Sequence, residues 1–435
     1  MLAKLGWIFL QAMSLKECIQ YALSHAPSVQ NSYLDYQIAR QKVSEVRSAG
    51  LPQINAQSTF RYLIEIPVAV IPGDGFGRPG TFLRIAFGVP YNLEVGITGT
   101  QLLFDGPYLV GLQAARTVRD ITYKQHQRSR IEAIAAVSKA YYAALVAQER
   151  LRLLSYNIQQ LELLYQQTQK LHETGFAERL DVQRLEVSLN NLRTEQSRAT
   201  EGVALAFLAL KLQMGMPLET PLALKDTLAP EFLTELIPDS LTLVSIDPTY
   251  RIEYQLLLRQ RRALELNLTR YRVSYLPSLV FISGIFSQAL RREFNFFDTR
   301  QPWFPNIFIG AQLQMPIFDG LRRHSQIQQA KLELQKNQND LFQLRQALTL
   351  EAETARRQLL NNLRSLEIQR RNLSLAEEVL RTARRKQEAG VGSTIEILQA
   401  QTSYEQAQTA YTTALLEAYS SYIDWKKSLG TLSEE

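Results

Sequence analysis

The chain is 435 residues long, with 46% hydrophobic and 21% charged residues, a composition that excludes both a disordered chain and a helical membrane protein. It contains no run of about 18 apolar residues, which excludes a membrane-spanning helix but not the short, half-apolar strands of a membrane barrel. The net charge of +6 is distributed as arginine pairs along the chain, and without a basic patch interleaved with aromatics no nucleic-acid binding is expected.

The N-terminal stretch MLAKLGWIFLQA has one lysine, a short apolar run and a small residue at Ala12. These features predict a possible clipped signal segment over residues 1–12, with the mature chain beginning at Met13 or Ser14. The single cysteine, Cys18, lies inside the amphipathic stretch SLKECIQYAL and does not follow small residues. Its position indicates a packed helix residue, and a lipid anchor is the less favoured alternative.

An internal repeat organises the rest of the chain. Phe104 and Phe318 are 214 residues apart, and 215 residues separate both Gly175 from Gly390 and Gly215 from Gly430. Three residue pairs with nearly the same separation in sequence indicate a duplicated structural unit. We therefore divide the chain into a first repeat (13–215), an insert (216–247), a second repeat (248–430) and a tail (431–435).

The sequence of each repeat predicts a helix, a β-hairpin, a very long helix and a further helix. We therefore expect a fold that is mainly α with a smaller β part. The expected strands cover about 52–66 and 82–104 in the first repeat, and about 277–288 and 303–318 in the second. Apolar and polar residues alternate along two of them, as expected for strands with one apolar face. The residues assigned to that apolar face are Leu93, Val95, Ile97, Ile307, Ile309 and Leu313.

Two segments are far longer than ordinary globular helices. Between Pro107 and His172 the only helix-breaking residue is Gly111, and the stretch from Leu321 to Ala389 contains neither proline nor glycine. At 1.5 Å per residue each would span on the order of 100 Å. Their apolar heptad spacing indicates a coiled coil or the wall of a helical barrel.

No catalytic or metal-binding motif is found, so neither enzymatic activity nor a cofactor is expected. The turns between the long helices and their successors contain Gly175, Gly390 and Gly392, which suit helix C-caps and turns. Ser393 to Glu396 reads STIE, the pattern of a capping box in which the glutamate bonds back to the serine amide.

These features together resemble the TolC-type outer-membrane factor family: the FDG transition from strand to long helix, the turn sequences GFAERLDVQRLEV and GVGSTIEILQAQTSYEQAQTAY, and the duplication. The resemblance covers about residues 14–430. It implies a homotrimer in which each protomer gives four strands to one twelve-stranded barrel in the outer membrane, continuous with a periplasmic α-helical barrel. Residues 216–247 would form an equatorial collar.

The resemblance also implies a function and its sites. The function is a passive export duct, coupled through a periplasmic adaptor protein to an inner-membrane transporter. Acidic residues would ring a periplasmic constriction, with Glu396 in the first acidic position, Gln399 where a second carboxylate is expected, and Asp181 as the partner of Glu396 in the first repeat. For Glu396, a gate role and a cap role both stay open.

The exposed turns would contact the adaptor, through Gly175, Phe176, Gly390, Val391, Gly392 and Ser393. The apolar strand face would contact outer-membrane lipid. The alternative is a soluble coiled-coil scaffold whose strands form a small sandwich, since a sandwich shows the same alternation.

Overall fold

A computed structural model describes residues 11–77, 79–228, 247–389 and 391–432. Residues 1–10 of the possible signal segment, residues 229–246 of the insert, Gly390 and residues 433–435 lie outside the described residues. The chain divides into two compact units. The helical unit comprises residues 1–37, 121–259 and 337–435, and the sheet unit comprises residues 38–120 and 260–336.

The described elements alternate between short strands and long helices. In chain order they are β1 (Gln11–Met13), α1 (Leu15–His25), α2 (Pro27–Ser48), β2 (Gln53–Tyr62), β3 (Val68–Pro72), β4 (Phe82–Ala86), β5 (Tyr91–Phe104), α3 (Gly106–Glu173), α4 (Arg179–Met214), β6 (Leu222–Leu224), α5 (Ile252–Val273), β7 (Ser278–Arg291), β8 (Phe304–Gln314), α6 (Arg322–Glu388) and α7 (Thr394–Leu429). Within the described ranges, every helix is too short or too polar to cross a membrane.

Four strands form the main sheet, in the antiparallel order β2–β5–β7–β8. The pairing of β5 with β7 joins the two repeats, because each repeat supplies one of these strands. Each of the four strands is connected to a helix at the same end of the sheet: β2 follows α2, β7 follows α5, β5 precedes α3 and β8 precedes α6. The other end carries the connecting segments 63–90 and 292–303.

The strand boundaries differ in places from those expected. The 82–104 segment is divided into β4 and β5, because Gly88 has φ 123° and Pro90 has no backbone donor. β4 pairs with β3 in a separate two-stranded ribbon. β8 ends at Gln314, short of 318, because the following Pro316 cannot donate to the ladder.

The long helices end where the sequence places glycine. α3 and α6 have 68 and 67 residues, and α4 and α7 have 36 each. Gly215 and Gly430 cap α4 and α7 in the left-handed region, at φ 70° and 72°. At Gly215 a Cβ atom would also lie 2.7 Å from the carbonyl oxygen of His25, so the glycine permits both the turn and the close approach of α1.

The core of the helical unit is built around α1 and α3. Cys18, Ala22, Tyr141 and Ala144 are almost fully buried together, which confirms the packed position predicted for the cysteine. Burial raises the pKa of the Cys18 thiol to about 12, so the thiol stays protonated and unreactive. Residues 11 and 12, which the sequence assigned to the clipped segment, form β1 with Met13 and pair in parallel with β6 of the insert.

Candidate functional site

The strand register brings the six residues of the predicted apolar face to the same side of the main sheet. Leu93, Val95 and Ile97 of β5 stand opposite Ala289, Ser287 and Ile285 of β7. On the other side of β7, Ile285, Ser283 and Leu279 stand opposite Ile307, Ile309 and Leu313 of β8. Directly paired residues point to the same face, so we call this surface the apolar face.

Most of the apolar face is exposed. Ile307, Ile309 and Leu313 have 68%, 79% and 68% of their surfaces accessible, and Val95 has 43%. Leu93 is only half-buried among its neighbours. A contiguous apolar surface of this kind on a folded protein marks contact with lipid or with another protein.

The opposite face is mainly polar, and we call it the polar face. Its polar residues include Gln53, Asn55, Gln57 and Thr59 on β2, Asn92, Glu94 and Thr98 on β5, and Asn306, Gln312 and Gln314 on β8. β7 departs from the pattern, because it places Val280, Ile282 and Phe286 on this side.

Phe286 and Phe308 lie on the polar face, where their rings occupy the space beside two glycines. The rings of Phe286 and Phe308 stack nearly parallel, with centroids 6.1 Å apart and an interplanar angle of 8°. A Cβ atom on Gly96 would collide with the Phe286 ring, and one on Gly284 would lie 2.6 Å from Cε1 of Phe308. Aromatic rings thus fill the space that glycine leaves in the sheet. Local sequence patterns do not predict this cluster, because its members come from three strands.

The two long-helix pairs turn within the helical unit, and their turns hold the predicted contact residues. Gly175 has φ 83°, while Phe176 and Val391 are 83% and 79% exposed. A Cβ atom on Gly392 would lie 2.7 Å from the backbone nitrogen of Gln387, so this turn needs glycine for space. Gly390 lies outside the described residues. The described turns therefore present exposed apolar side chains on tightly folded backbone.

The predicted gate residues lie near these turns, Asp181 on one and Glu396 and Gln399 on the other. Asp181, in the first turn of α4, is 3.7 Å from Arg184. Glu396 and Gln399 are exposed and line a groove between α6 and α7. Among the described residues, no hydrogen bond or ion pair joins Asp181 to Glu396.

The capping box predicted at Ser393 is only half formed. The Ser393 hydroxyl accepts a hydrogen bond from the Glu396 amide at 3.3 Å. The described hydrogen bonds do not include the reciprocal one, from the Ser393 amide to the Glu396 carboxylate. At Ser14 and Glu17 both bonds are present. The Glu396 carboxylate is therefore not held by the cap.

A polar network missed by the sequence analysis links three helices close to the turns. The Arg384 guanidinium of α6 donates to Gln160 of α3 at 3.3 Å and to Gln401 of α7 at 3.1 Å. Gln401 in turn donates to Glu405, whose pKa is raised by burial against the opposing effect of this hydrogen bond. No local pattern distinguishes these residues from other polar side chains on long helices.

The fold defines a class: a chain in which a sheet with one exposed apolar face is connected to long, paired helices. The chain belongs to the outer membrane efflux protein family, whose sequence profile matches residues 83–216 and 258–431. Members of this family are passive channel proteins of the outer membrane, which confirms the predicted family and location and means that the chain is not an enzyme.

Individual relatives are distant. The chain is 22% identical over 306 residues to the proteases secretion protein PrtF of Dickeya chrysanthemi, in an alignment that covers 68% of this chain and 64% of that relative's length. Its fold is similar to the CmeC outer membrane channel of Campylobacter jejuni, with a TM-score of 0.76, 14% identity, and coverage of 99% of this chain and 89% of that one. It is also similar to the open state of the Neisseria gonorrhoeae MtrE outer membrane channel, with a TM-score of 0.72, 18% identity, and coverage of 97% and 90%.

Proposed function

We propose that this chain is the passive outer-membrane exit duct of a tripartite efflux or secretion system. The observation that carries the proposal is a four-stranded sheet with an exposed apolar face and a polar face. Its outer strands, β2 and β8, each pair with one neighbour in the described sheet, which leaves their outer edges open. Family membership supports an efflux channel, and the name of PrtF supports secretion as one form of it.

The two edges support a homotrimer. In lipid an unpaired strand edge is strongly unfavourable, because its backbone groups find no water. Four strands do not enclose a channel, whereas three copies would supply twelve, an even number within the range of outer-membrane barrels. β8 of one protomer would then pair with β2 of the next, with the apolar faces toward lipid and the polar faces toward the channel.

The helical unit supports the same assembly. Leu205 and Leu212 on α4, and Phe342 and Leu350 on α6, each have about two thirds of their surfaces exposed. Apolar side chains at such spacing on long helices suit packing against helices of another copy. In this proposal the helices form the periplasmic α-helical barrel, and the described part of the insert, 216–228, belongs to its collar.

The remaining site assignments follow from this arrangement. The turns with Gly175, Phe176, Val391, Gly392 and Ser393 would contact the periplasmic adaptor, which connects the duct to an inner-membrane transporter. Asp181, Glu396 and Gln399 would line the periplasmic constriction. The exposed apolar side chains at the turns support the adaptor contact. The exposed Glu396 carboxylate, which has no partner among the described hydrogen bonds and ion pairs, supports the constriction.

The assembly is tested with the full chain purified in detergent. We expect a trimer by light scattering, a shift in gel mobility on heating, and ion conductance in planar bilayers. A monomer that stays in solution without detergent and conducts no ions would contradict the duct and favour the coiled-coil scaffold.

The face assignment is tested by placing arginine on each side of the same strand. Ile309→Arg should cost on the order of 2–4 kcal/mol near the bilayer midplane, because it moves a charge into lipid. Gln312→Arg, on the polar face of β8, should be tolerated. Folded yield and thermal stability in liposomes measure the difference, and equal tolerance at the two positions would contradict the lipid-facing assignment.

A further inference from the structure

A buried arginine lies at the end of the main sheet that is opposite to the helices. Arg291 is the last residue of β7 and pairs with Tyr91 of β5, so its side chain is on the apolar face. Only 4% of the residue is exposed. Nη1 donates to the carbonyl oxygen of Leu290 at 3.1 Å, whereas the buried Nε and Nη2 atoms have no partner among the described residues.

Aromatic side chains surround this strand end. Phe294 and Phe296, from the segment after β7, fold back onto Phe60 of β2 with ring centroids 6.0 and 5.8 Å apart. Phe294 also lies 6.1 Å from Tyr91, edge to face. Phe294 is 62% exposed, so it forms the outer boundary of the cluster.

Nearby protein groups do not neutralise the Arg291 charge. The described ion pairs give Arg291 no carboxylate within 4.0 Å. The Arg291 charge contributes to the lowered pKa of Asp298, but that carboxylate is paired with Arg300 at 3.1 Å. The side-chain oxygen of Asn295 is also buried without a partner. A water molecule between Asn295 and Arg291 would satisfy hydrogen bonds but would leave the guanidinium charge unpaired, which is costly in an apolar environment.

We propose that Arg291 binds the phosphate of an outer-leaflet lipid headgroup. The inference rests on the proposed function, which places the apolar face in lipid and this end of the strands at the outer surface. A guanidinium with two free donor atoms matches phosphate oxygens, and aromatic residues are typical of the level where lipid headgroups meet a barrel. Because Nε and Nη2 are buried, the aromatic segment after β7 has to move aside for the lipid phosphate to reach them. The acyl chains of the lipid would then lie along Val95 and Ile97.

The probe is diphosphorylated lipid A, titrated into the full chain in detergent while thermal unfolding is followed. The lipid should raise the unfolding midpoint of the natural protein, because a ligand that binds only the folded state stabilises it. Its dephosphorylated form should give a much smaller shift. In Arg291→Gln the apparent Kd should rise about tenfold or more, the factor that a charge-assisted hydrogen bond contributes.

The matched control is Arg292→Gln, which removes an exposed arginine at the next position and should keep the full shift. Without lipid, Arg291→Gln should be at least as stable as the natural protein, because it removes an unpaired buried charge. If it folds poorly, Arg291→Lys provides a second variant that keeps the charge and should retain part of the shift.

Three results would overturn the inference: an equal lipid A shift in the natural protein and Arg291→Gln, an equal shift with dephosphorylated lipid, or a full shift with millimolar inorganic phosphate alone. The last would assign the site to a soluble anion. These results are separable from failure of the proposed function, because bilayer conductance by a trimer tests the duct without reference to Arg291.

Discussion

At the scale of single residues, Arg251 is the most completely enclosed charged group of the helical unit for which the structure shows partners. It is 3% exposed, donates to the carbonyl oxygen of Ser428 at 2.7 Å, and pairs with Glu253 and Glu351 at 3.1 and 3.2 Å. It therefore ties the beginning of α5 to α6 and to the last turn of α7. Burial acts to raise the pKa of the Glu253 carboxyl, but its hydrogen bonds, first of all the one from Arg251, lower the pKa overall.

Arg251→Ala should lower the free energy of unfolding by about 2–3 kcal/mol, since it removes charge-assisted hydrogen bonds and leaves the Ser428 carbonyl without a donor. The control is Arg262→Ala on α5, whose pair with Glu265 is exposed and should be worth less than about 1 kcal/mol. Chemical denaturation of the purified protein compares the two. Similar losses would contradict a special role for Arg251.

The contacts of Glu17 with Lys225 and Ser14, at the start of α1, should be sensitive to acid. The hydrogen bond from Lys225 and then that from the Ser14 amide lower the pKa of Glu17 from 4.5 to about 2. A carboxyl with a lowered pKa in the folded state favours that state above its unfolded pKa, and the contribution is lost as the pH falls toward 2. Hydrogen exchange should therefore show declining protection of the α1 amides between about pH 4.5 and 2.

Glu17→Gln is the control, because it cannot titrate. Its protection should start lower at neutral pH and change little over the same acid range. A decline in protection of equal size in the variant would mean that another group causes the acid sensitivity.

At the scale of elements, the main sheet depends on contacts between strands that no single strand predicts. Gly96→Ala should destabilise the sheet by about 1–3 kcal/mol, because its Cβ would collide with the Phe286 ring. Gly310→Ala is the matched control on the same face, since its Cβ would meet the nearest atom, Cγ1 of Ile282, at an ordinary 3.5 Å.

Thermal unfolding in detergent compares the two glycine variants. Combining Gly96→Ala with Phe286→Ala should recover part of the loss, because the colliding ring is removed. If Gly310→Ala is as harmful as Gly96→Ala, the general properties of glycine in this sheet, and not the ring, explain the effect.

At the scale of the whole molecule, the proposed gate makes a prediction about ion selectivity. Three copies of Asp181 and Glu396 around a constriction would favour cations, because rings of carboxylates attract cations in a confined pore. Glu396→Gln together with Asp181→Asn should lower cation selectivity and raise anion permeability in planar bilayers. The Glu396 carboxylate makes no capping bond, so the change removes charge with little effect on the helix start.

The control is Glu367→Gln, which neutralises an exposed carboxylate elsewhere on α6 and should leave selectivity unchanged. If the double variant assembles normally and keeps its selectivity, the gate assignment is wrong, and the acidic residues serve only the N-terminal turns of their helices.

The sequence by itself determined the features that depend on neighbouring residues. The alternation through Leu93, Val95 and Ile97 predicted one apolar strand face, because side chains alternate along any extended chain. The scarcity of proline and glycine, with Gly111 as the one interruption, predicted the two very long helices, and Gly215 and Gly430 marked the ends of α4 and α7. The repeat and the turn sequences were sufficient to identify the family.

The tertiary structure alone decided which distant segments meet. Gly96 and Phe286 contact one another because of the β5–β7 register, and the three helices joined by Arg384 come from both repeats. The burial of Arg291 with unpartnered atoms is a property of the folded strand end, where Phe294 of the segment after β7 packs against Phe60 of β2. Periodicity and capping are local properties of the chain, whereas strand register and helix packing depend on the free energy of contacts between residues far apart in sequence.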